Sequence, residues 1–421
     1  MKNVTTLKFW MMPNAGYDTS LNMGKEIADF EKLYPGVKVE LSLIPWSQAW
    51  KKIMTAAKTK QLPDVFEIGN TWTKTMAAIN ALSDITAEAN GEHLKDKFYA
   101  SAWDTCEIRE LDKVYSLPWA ADVRLIFYRK DIFSKTGLTA RNLDTWQSFE
   151  EACAALSGYR DNAGLVNAVG VGDLKDSGLV HEVAPWVWSA GGDFLTADGM
   201  MAGFQEREAL RGIKFYFDLM HKGYAPIAGR KVPGYPVNDF FAANRYSMII
   251  ISSVAAYNIP GFFERASRPG GTLPRPEVLD KFGVAFLPAG PGGRFSFLGG
   301  YNLAISSYSE HREEAWQFIK YLTSKEFQIR QYKAASVLPT GIDALNALFH
   351  EGTDNEKVLI ETYKNYGRSY KQVDAWGSIE FILVEFFGNI IDAIKNHSYS
   401  GDFLTRETNK YAEQVNYILS L

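Results

Sequence analysis

Apolar and polar positions alternate along "TLKFWMM" (residues 6–12), the period-two signature of a half-buried strand. The pattern then changes. In "LNMGKEIADFEKLY" (21–34), Met23, Ile27, Phe30 and Leu33 recur at helical spacing and predict one apolar face. "PGVKVELSLI" (35–44) returns to alternation after a Pro-Gly turn that also stops the helix. "WSQAWKKIMTAAKTK" (46–60) predicts a second helix and "PDVFEIG" (63–69) a third strand. The opening of the chain therefore predicts β-α-β-α-β, with right-handed crossovers and a parallel sheet covered by helices.

The rhythm breaks at "DKVYSLPWAADVRLIFYRKDIFSKTG" (112–137). A short hairpin reaches Pro118, and an extended run then continues through Tyr128, long enough to cross from one domain to another. "TWQSFEEACAAL" (145–156) predicts a helix with Thr145 as its N-cap. "EREALRGIKFYFDLMHKGY" (206–224) predicts an amphipathic helix ended by Gly223. "NDFFAANRYSMIIISS" (238–253) reads as helix then strand, followed by a Pro/Gly-rich loop over 260–276. "KFGVAFLPAG" (281–290) predicts a second extended crossing, near 282–288. "HREEAWQFIKYLTSKEFQIRQYKAA" (311–335) predicts a long helical segment, and the chain from Asp343 onward is expected to be mostly helical. At 421 residues the chain exceeds the size at which one core stops growing, so two domains are expected.

Composition narrows the function. Lys plus Arg number 45 against 49 Asp plus Glu, a formal charge of −4 with no basic run, which argues against nucleic acid as a partner. No stretch approaches the ~20 apolar residues of a membrane span. The opening "MKNVTTLKFW" carries no charged-then-apolar leader; taken literally that is expected of a cytoplasmic chain, or of an exported one whose leader has been removed. Cys106 and Cys153 form no metal cluster or disulfide framework; one bridge or two free buried thiols remain, and free thiols are expected. The six histidines lack metal-ligand spacing.

Catalytic motifs are absent: there is no phosphate loop, nucleophile elbow or His-Glu-x-x-His helix. "VGVGDLKDSG" (169–178) is expected to be an ordinary loop without a following helix. Glu150-Glu151 and Glu313-Glu314 are expected to be solvated helical pairs, poor candidates for glycosidic hydrolysis. Asp122 lies two residues from Arg124 in the extended run, on the same strand face, where the cation favours an ionised, hydrogen-bonding carboxylate.

Aromatic content is the unusual figure, at 14%. Trp10, Trp72, Trp119, Trp186, Trp188, Tyr301 and Trp376 fall at strand ends or in loops, where ligands of open α/β sheets bind. Trp72 follows its strand through Asn70, and the spacing of Trp186 and Trp188 predicts two rings on one strand face. In "LPAGPGGRFSFLGGYNLAIS" (287–306), Pro288 to Gly293 predict a structural turn, whereas Gly299-Gly300 before Tyr301 either shape a hairpin or admit a ligand.

These segments, in this order, resemble the extracellular solute-binding proteins of carbohydrate ABC transporters, the maltose-binding-protein-like group. The resemblance runs through "ADFEKLYPGVKVEL", "LPDVFEIG", "KVYSLPWAADVRLIFYRKDIFSKTGL", "PWVWSAGGDF", "DFFAANRYSMII", "FGVAFLPAGPGG", "FLGGYNLAIS" and "EEAWQFIKYLTS", nearly the whole chain. It implies an α/β, two-lobe periplasmic-binding-protein-like type II fold. Each lobe would be a mainly parallel sheet flanked by helices, with a ligand cleft between lobes. The lobes implied are 1–120 plus 287–325 and 121–286 plus 326–421. The function implied is capture of a sugar, in particular an oligosaccharide, by hinge closure and delivery to the permease subunits of an ABC importer. No catalytic residue, cofactor or metal is implied, and the protein is expected to be a monomer outside the cytoplasm, as a periplasmic protein or cell-surface lipoprotein. Carried over by position, the ligand-binding residues are Asn14, Asn70, Trp72, Asp122, Arg124, His181, Trp186, Trp188, Gly300, Tyr301 and Trp376. One departure stands out: the family often has a Trp after the strand "SMIII", where this chain has Ser252, Ser253 and Tyr257. Two other classes remain open, a glycan-acting enzyme and a same-fold binder of a polyamine or peptide.

Overall fold

The computed structural model describes residues 4–13, 19–161, 164–172, 176–227, 245–253, 282–335, 337–350 and 352–421. Asn14, Tyr257, the expected loop 260–276 and the expected helix before the strand at 246 lie outside the described residues. The strands, in chain order, are β1 (Thr5–Met11), β2 (Val37–Leu43), β3 (Val65–Gly69), β4 (Glu107–Ile108), β5 (Lys113–Val114), β6 (Leu117–Arg129), β7 (Arg160–Asp161), β8 (Gly164–Leu165), β9 (Asn167–Gly170), β10 (Tyr246–Ser252), β11 (Phe282–Ala285), β12 (Ser296–Ile305) and β13 (Gly367–Arg368). The chain forms two compact units: Met1–Asp122 with Gly299–Glu351 and Gln372–Trp376, and Val123–Leu298 with Gly352–Lys371 and Gly377–Leu421.

In the first unit β1 pairs in parallel with β2, from Thr5↔Val37 to Met11↔Leu43, and with β3 at Phe9↔Val65. β12 closes the other side of β3 in antiparallel register, Tyr301↔Gly69 to Ile305↔Val65. The alternation read from the sequence sorts the two faces. Leu7, Phe9, Met11 and Val65 pack with Met23, Ile27 and Phe30 of helix Thr19–Leu33 and with Phe318 and Ile319 of helix Arg312–Leu322. Phe66 and Ile68 face the opposite layer with Ala49 and Ile53 of helix Trp46–Lys58. Leu33, expected on the buried stripe, is 65% exposed. It is the last helical residue, and Tyr34 instead stacks near Phe30, with ring centroids 4.7 Å apart.

One acid interrupts this core. Glu67 of β3 is 1% exposed; its Oε2 accepts the Met12 N–H at 2.7 Å, and its Oε1 has no hydrogen-bond partner among the described residues. Burial pushes its carboxyl from the usual 4.5 up to about 8, so the group is mostly neutral at pH 7. Because the folded pKa lies above the unfolded one, the native state holds a proton that the unfolded chain has released. The stability this proton carries is full below about pH 4.5 and is lost as pH rises through about 8. Denaturant unfolding should show the wild type losing up to about 1.4 kcal/mol per pH unit across that window relative to Glu67→Gln. Parallel pH curves for the two proteins would contradict a neutral, buried Glu67.

In the second unit β6 pairs antiparallel with β10 (Met248↔Tyr128 to Ser252↔Arg124) and with β11, and β10 pairs in parallel with β9. The chain first enters this unit within β6, leaves it within β12, and returns at Gly352 and again at Gly377. Helix Trp146–Leu156 starts where the sequence predicts: Thr145 Oγ1 accepts the Ser148 N–H at 3.2 Å, and Ser148 Oγ accepts the Thr145 N–H in return. Helices Ser177–Ser189 and Arg207–His221 approach closely at Gly212, where an added Cβ would lie 2.4 Å from the Trp186 carbonyl oxygen. The expected long helix 311–335 is two helices, Arg312–Leu322 and Lys325–Ala335. Cys106 and Cys153 are free and buried, as the sequence led us to expect.

Candidate functional site

Helix Trp46–Lys58 begins just past the carboxyl end of β2, and Asn70 and Trp72 just past that of β3. Tyr301 pairs with Gly69 at the same edge. Four rings gather there: Trp46 lies 5.0 Å from Tyr301 and 6.3 Å from Trp72, and Trp50 lies 5.1 Å from Trp72. Trp72 is buried, with its backbone N–H on the Gly69 carbonyl, and Asn70 is buried, with its backbone N–H on the Gly300 carbonyl at 3.0 Å. The structure thus brings Asn70, Trp72, Gly300 and Tyr301 together. Trp46 and Trp50 are the members that sequence reading passed over, although the place of Trp46 directly after Pro45 at the end of a strand was visible. A small pocket on this unit is lined by Tyr301 together with Trp119, Gln331 and Val337. Asp122 is buried in β6, and Trp376, also buried, opens helix Trp376–Lys395.

The backbone at Gly300 has φ +138°, and a Cβ added there would sit 2.1 Å from the Ala120 carbonyl oxygen. The close approach this glycine permits is to the protein's own backbone.

The second unit carries a buried polar and aromatic cluster. Arg124 Nε donates to Glu182 Oε1 at 2.7 Å, both side chains nearly closed to solvent. Arg124 backbone groups exchange hydrogen bonds with Ser296 Oγ, at 2.7 and 2.8 Å. His181 lies flat on Phe297, centroids 4.1 Å apart at 3°, and its Nδ1 is 2.9 Å from the Tyr370 hydroxyl. Burial first, and then the Arg124 charge, hold the His181 pKa well below its usual value. Its Nε2, 3.6 Å from Glu380 Oε1, therefore forms a contact of a neutral ring rather than an ion pair. Burial, with the Glu380 charge next, raises the Tyr370 hydroxyl well above its usual range. Trp188 donates from Nε1 to Asp193 at 3.2 Å, and Arg368, bonded to Asp193 at 2.6 Å, covers the Trp188 ring at 5.1 Å.

Trp186 and Trp188 do not share a strand face as expected; both lie in helix Ser177–Ser189. Residues two apart in a helix point to nearly opposite sides. Trp186 packs against Trp146, Phe149 and Phe215, while Trp188 stands against Phe297 and Tyr370. The run "LVHEVAPWVWS" is buried almost all round, which erases the periodicity that would have marked it as helical. The same helix follows the 169–178 stretch, where none was expected. Arg124 and His181 do come together, through Glu182, Phe297 and Tyr370, none of which the sequence singled out.

Among the described residues, no group of three or more His, Cys, Asp or Glu could hold a metal ion, and no helix is long and apolar enough to cross a membrane. Flat rings at the carboxyl edge of a parallel sheet, beside polar groups fixed by hydrogen bonds, define a ligand-binding α/β protein. Over residues 21–329 the chain matches the family described as bacterial extracellular solute-binding protein, and it belongs to that family. The diacetylchitobiose binding protein of Streptomyces coelicolor is 25% identical over 346 residues, 79% of this chain and 73% of that protein. Among solved structures, an ABC transporter solute-binding protein of Thermotoga lettingae bound with α-D-tagatose superposes with a TM-score of 0.82 at 24% identity, covering 99% of this chain and 100% of its own. The sugar-binding protein MalE of Xanthomonas citri gives a TM-score of 0.79 at 21% identity, covering 99% and 98%. The relatives are binding proteins, and the fold is the one the sequence resemblance implied.

Proposed function

We propose that this chain captures a saccharide, specifically an oligosaccharide, by hinge closure and delivers it to the permease subunits of an ABC importer. It would act outside the cytoplasm as a monomer, in the periplasm or lipid-anchored at the cell surface, with no cofactor. The observation that carries the reading is the grouping of Trp46, Trp72 and Tyr301 at the carboxyl edge of the first unit's sheet. Rings of this kind take the C–H face of a sugar, and Tyr and Trp add a polar tip. Family membership and the diacetylchitobiose-binding relative support the same class. Asn70, Asp122 and Tyr301 would supply polar contacts from the first unit, and Arg124 and His181 from the second. Charge-assisted hydrogen bonds contribute about 1.5–3 kcal/mol each, so a few suffice for micromolar affinity, about −8 kcal/mol, after association costs.

A thermal-shift screen tests this, since a solute that binds only the folded state raises the melting temperature. A panel of maltose, cellobiose, N,N′-diacetylchitobiose, their longer homologues and D-mannitol should contain at least one stabilising saccharide. Asp122→Ala should weaken binding of that saccharide about tenfold or more, the loss of one charge-assisted contact, while the protein stays folded. Undiminished affinity would remove Asp122 from the site.

A further inference from the structure

We propose that Glu67 is a positioning residue: its carboxyl holds the carboxyl ends of β1 and β3 apart and so shapes the crevice where the first unit's sheet changes direction. The effect on a bound solute rests on the saccharide reading above, and the wedge itself rests on geometry alone. Strand order in this part of the sheet is β2-β1-β3-β12, so the chain steps from β1 to β2 on one side and then places β3 on the other. Ligands of open α/β sheets enter at such a reversal, outside the carboxyl ends of the strands. Each of the two central strands stays paired with its outer neighbour to its end, β1 with β2 through Met11↔Leu43 and β3 with β12 through Gly69↔Tyr301. Between β1 and β3, among the described residues, the register is confined to Phe9↔Val65 and Trp10↔Phe66. Past that point the Met12 N–H, the first beyond β1, goes to Glu67 Oε2 at 2.7 Å. A side chain thus replaces a rung of the ladder, and a carboxyl on its stem spans a wider gap than a backbone carbonyl.

Packing alone does not account for an acid at this position. Val65, Phe66 and Ile68 around it are fully buried, and an apolar side chain would fill the space without the penalty of burying a carboxyl. Such a side chain would leave the Met12 N–H, in an equally buried residue, without its acceptor. The carboxyl is mostly neutral at pH 7, so it makes this bond without placing a charge in the core. Glutamine reproduces both its shape and its acceptor oxygen, whereas leucine and methionine keep the bulk and lose the acceptor. Asn70 and Trp72 follow directly on the end of β3, so the strand end that Glu67 fixes is the one that carries the polar and aromatic groups of the site. Loss of the wedge would let the two strand ends shift, and a site held less firmly binds less tightly.

The test compares wild type, Glu67→Gln, Glu67→Leu and Glu67→Met, with melting temperatures as folding controls; the last two remove the same acceptor, so either one that folds suffices. Hydrogen exchange of the Met12 amide, followed by NMR on protein labelled with 15N-methionine, reads the wedge directly. It should stay slow in Glu67→Gln and quicken about tenfold or more in Glu67→Leu and Glu67→Met, in which the N–H has lost its partner. Titration with maltose, cellobiose and N,N′-diacetylchitobiose reads the consequence at the site. Glu67→Leu and Glu67→Met should bind the best of the three about tenfold or more weakly than wild type, and Glu67→Gln should bind it as wild type does. Unchanged Met12 exchange in the apolar variants would overturn the wedge. Unchanged saccharide affinity in folded Glu67→Leu or Glu67→Met, or an equal loss in Glu67→Gln, would overturn the positioning role. Absence of binding by the wild type would overturn the saccharide reading and with it the effect on a solute, and the exchange of Met12 would still decide the wedge.

Discussion

Replacing Arg124 by Ala should destabilise the protein by about 3–5 kcal/mol, the usual cost of leaving a buried charge without its partner. Arg124 lies on β6 and Glu182 on helix Ser177–Ser189, joined at 2.7 Å with side-chain exposures of 7% and 10%. A Cβ added at Gly172 would lie 2.9 Å from Glu182 Cγ, so the backbone there packs directly on the stem of the carboxylate. Arg124→Met combined with Glu182→Leu should recover most of the loss, because a packed apolar pair needs no counter-charge. The substitution also has a spectroscopic signature. Arg124 is one of the two causes that depress His181, so the His181 pKa should rise in Arg124→Ala, as followed by NMR. A cost below about 1 kcal/mol, typical of an exposed pair, would show that the pair is solvated.

Gly300→Ala should be at least as damaging, about 3 kcal/mol or more, or should prevent folding outright. Two penalties coincide there: φ of +138° disfavours any L side chain, and the new Cβ would have to displace the Ala120 carbonyl from 2.1 Å. Both strands involved, β6 and β12, are anchored: the Ala121 N–H donates to the Leu338 carbonyl at 2.9 Å, and β12 runs in register against β3. Gly24→Ala is the control, since nothing lies within 4 Å of its added Cβ and it sits inside helix Thr19–Leu33. That change should stabilise by about 0.5–1 kcal/mol. Comparable unfolding curves for the two variants would contradict the role assigned to Gly300.

Much of the fold was legible because its periodicities are clean. β1 and β2 alternate, helix Arg207–His221 carries a sharp apolar stripe, and Thr145 announces its helix by a cap that forms as read. The extended run through Tyr128 became the single long strand β6. Legibility failed where burial is complete on all sides. Around Trp186 and Trp188 nearly every position of the helix is buried, Glu182 and Ser189 included, so no polar face marks the helical period and the two-residue spacing reads as a strand.

The site was harder to read for a different reason. Asp122 and Arg124 are neighbours in sequence, but the carboxylate that pairs with Arg124 is Glu182, 58 residues further on. The glycine at 300 was visible, and what approaches it, the Ala120 carbonyl 180 residues earlier, was not. Trp46 shows the converse: its position after a strand was readable, but its exposure is a property of the packed unit alone.

The central claim is that this protein binds a saccharide without transforming it, and calorimetric titration of the wild type with the saccharide panel tests it most directly. The account predicts saturable heat with one site per chain, a dissociation constant of about micromolar or tighter, and a return to baseline after every injection. No heat from any saccharide, or a sustained signal that reports turnover, would contradict it.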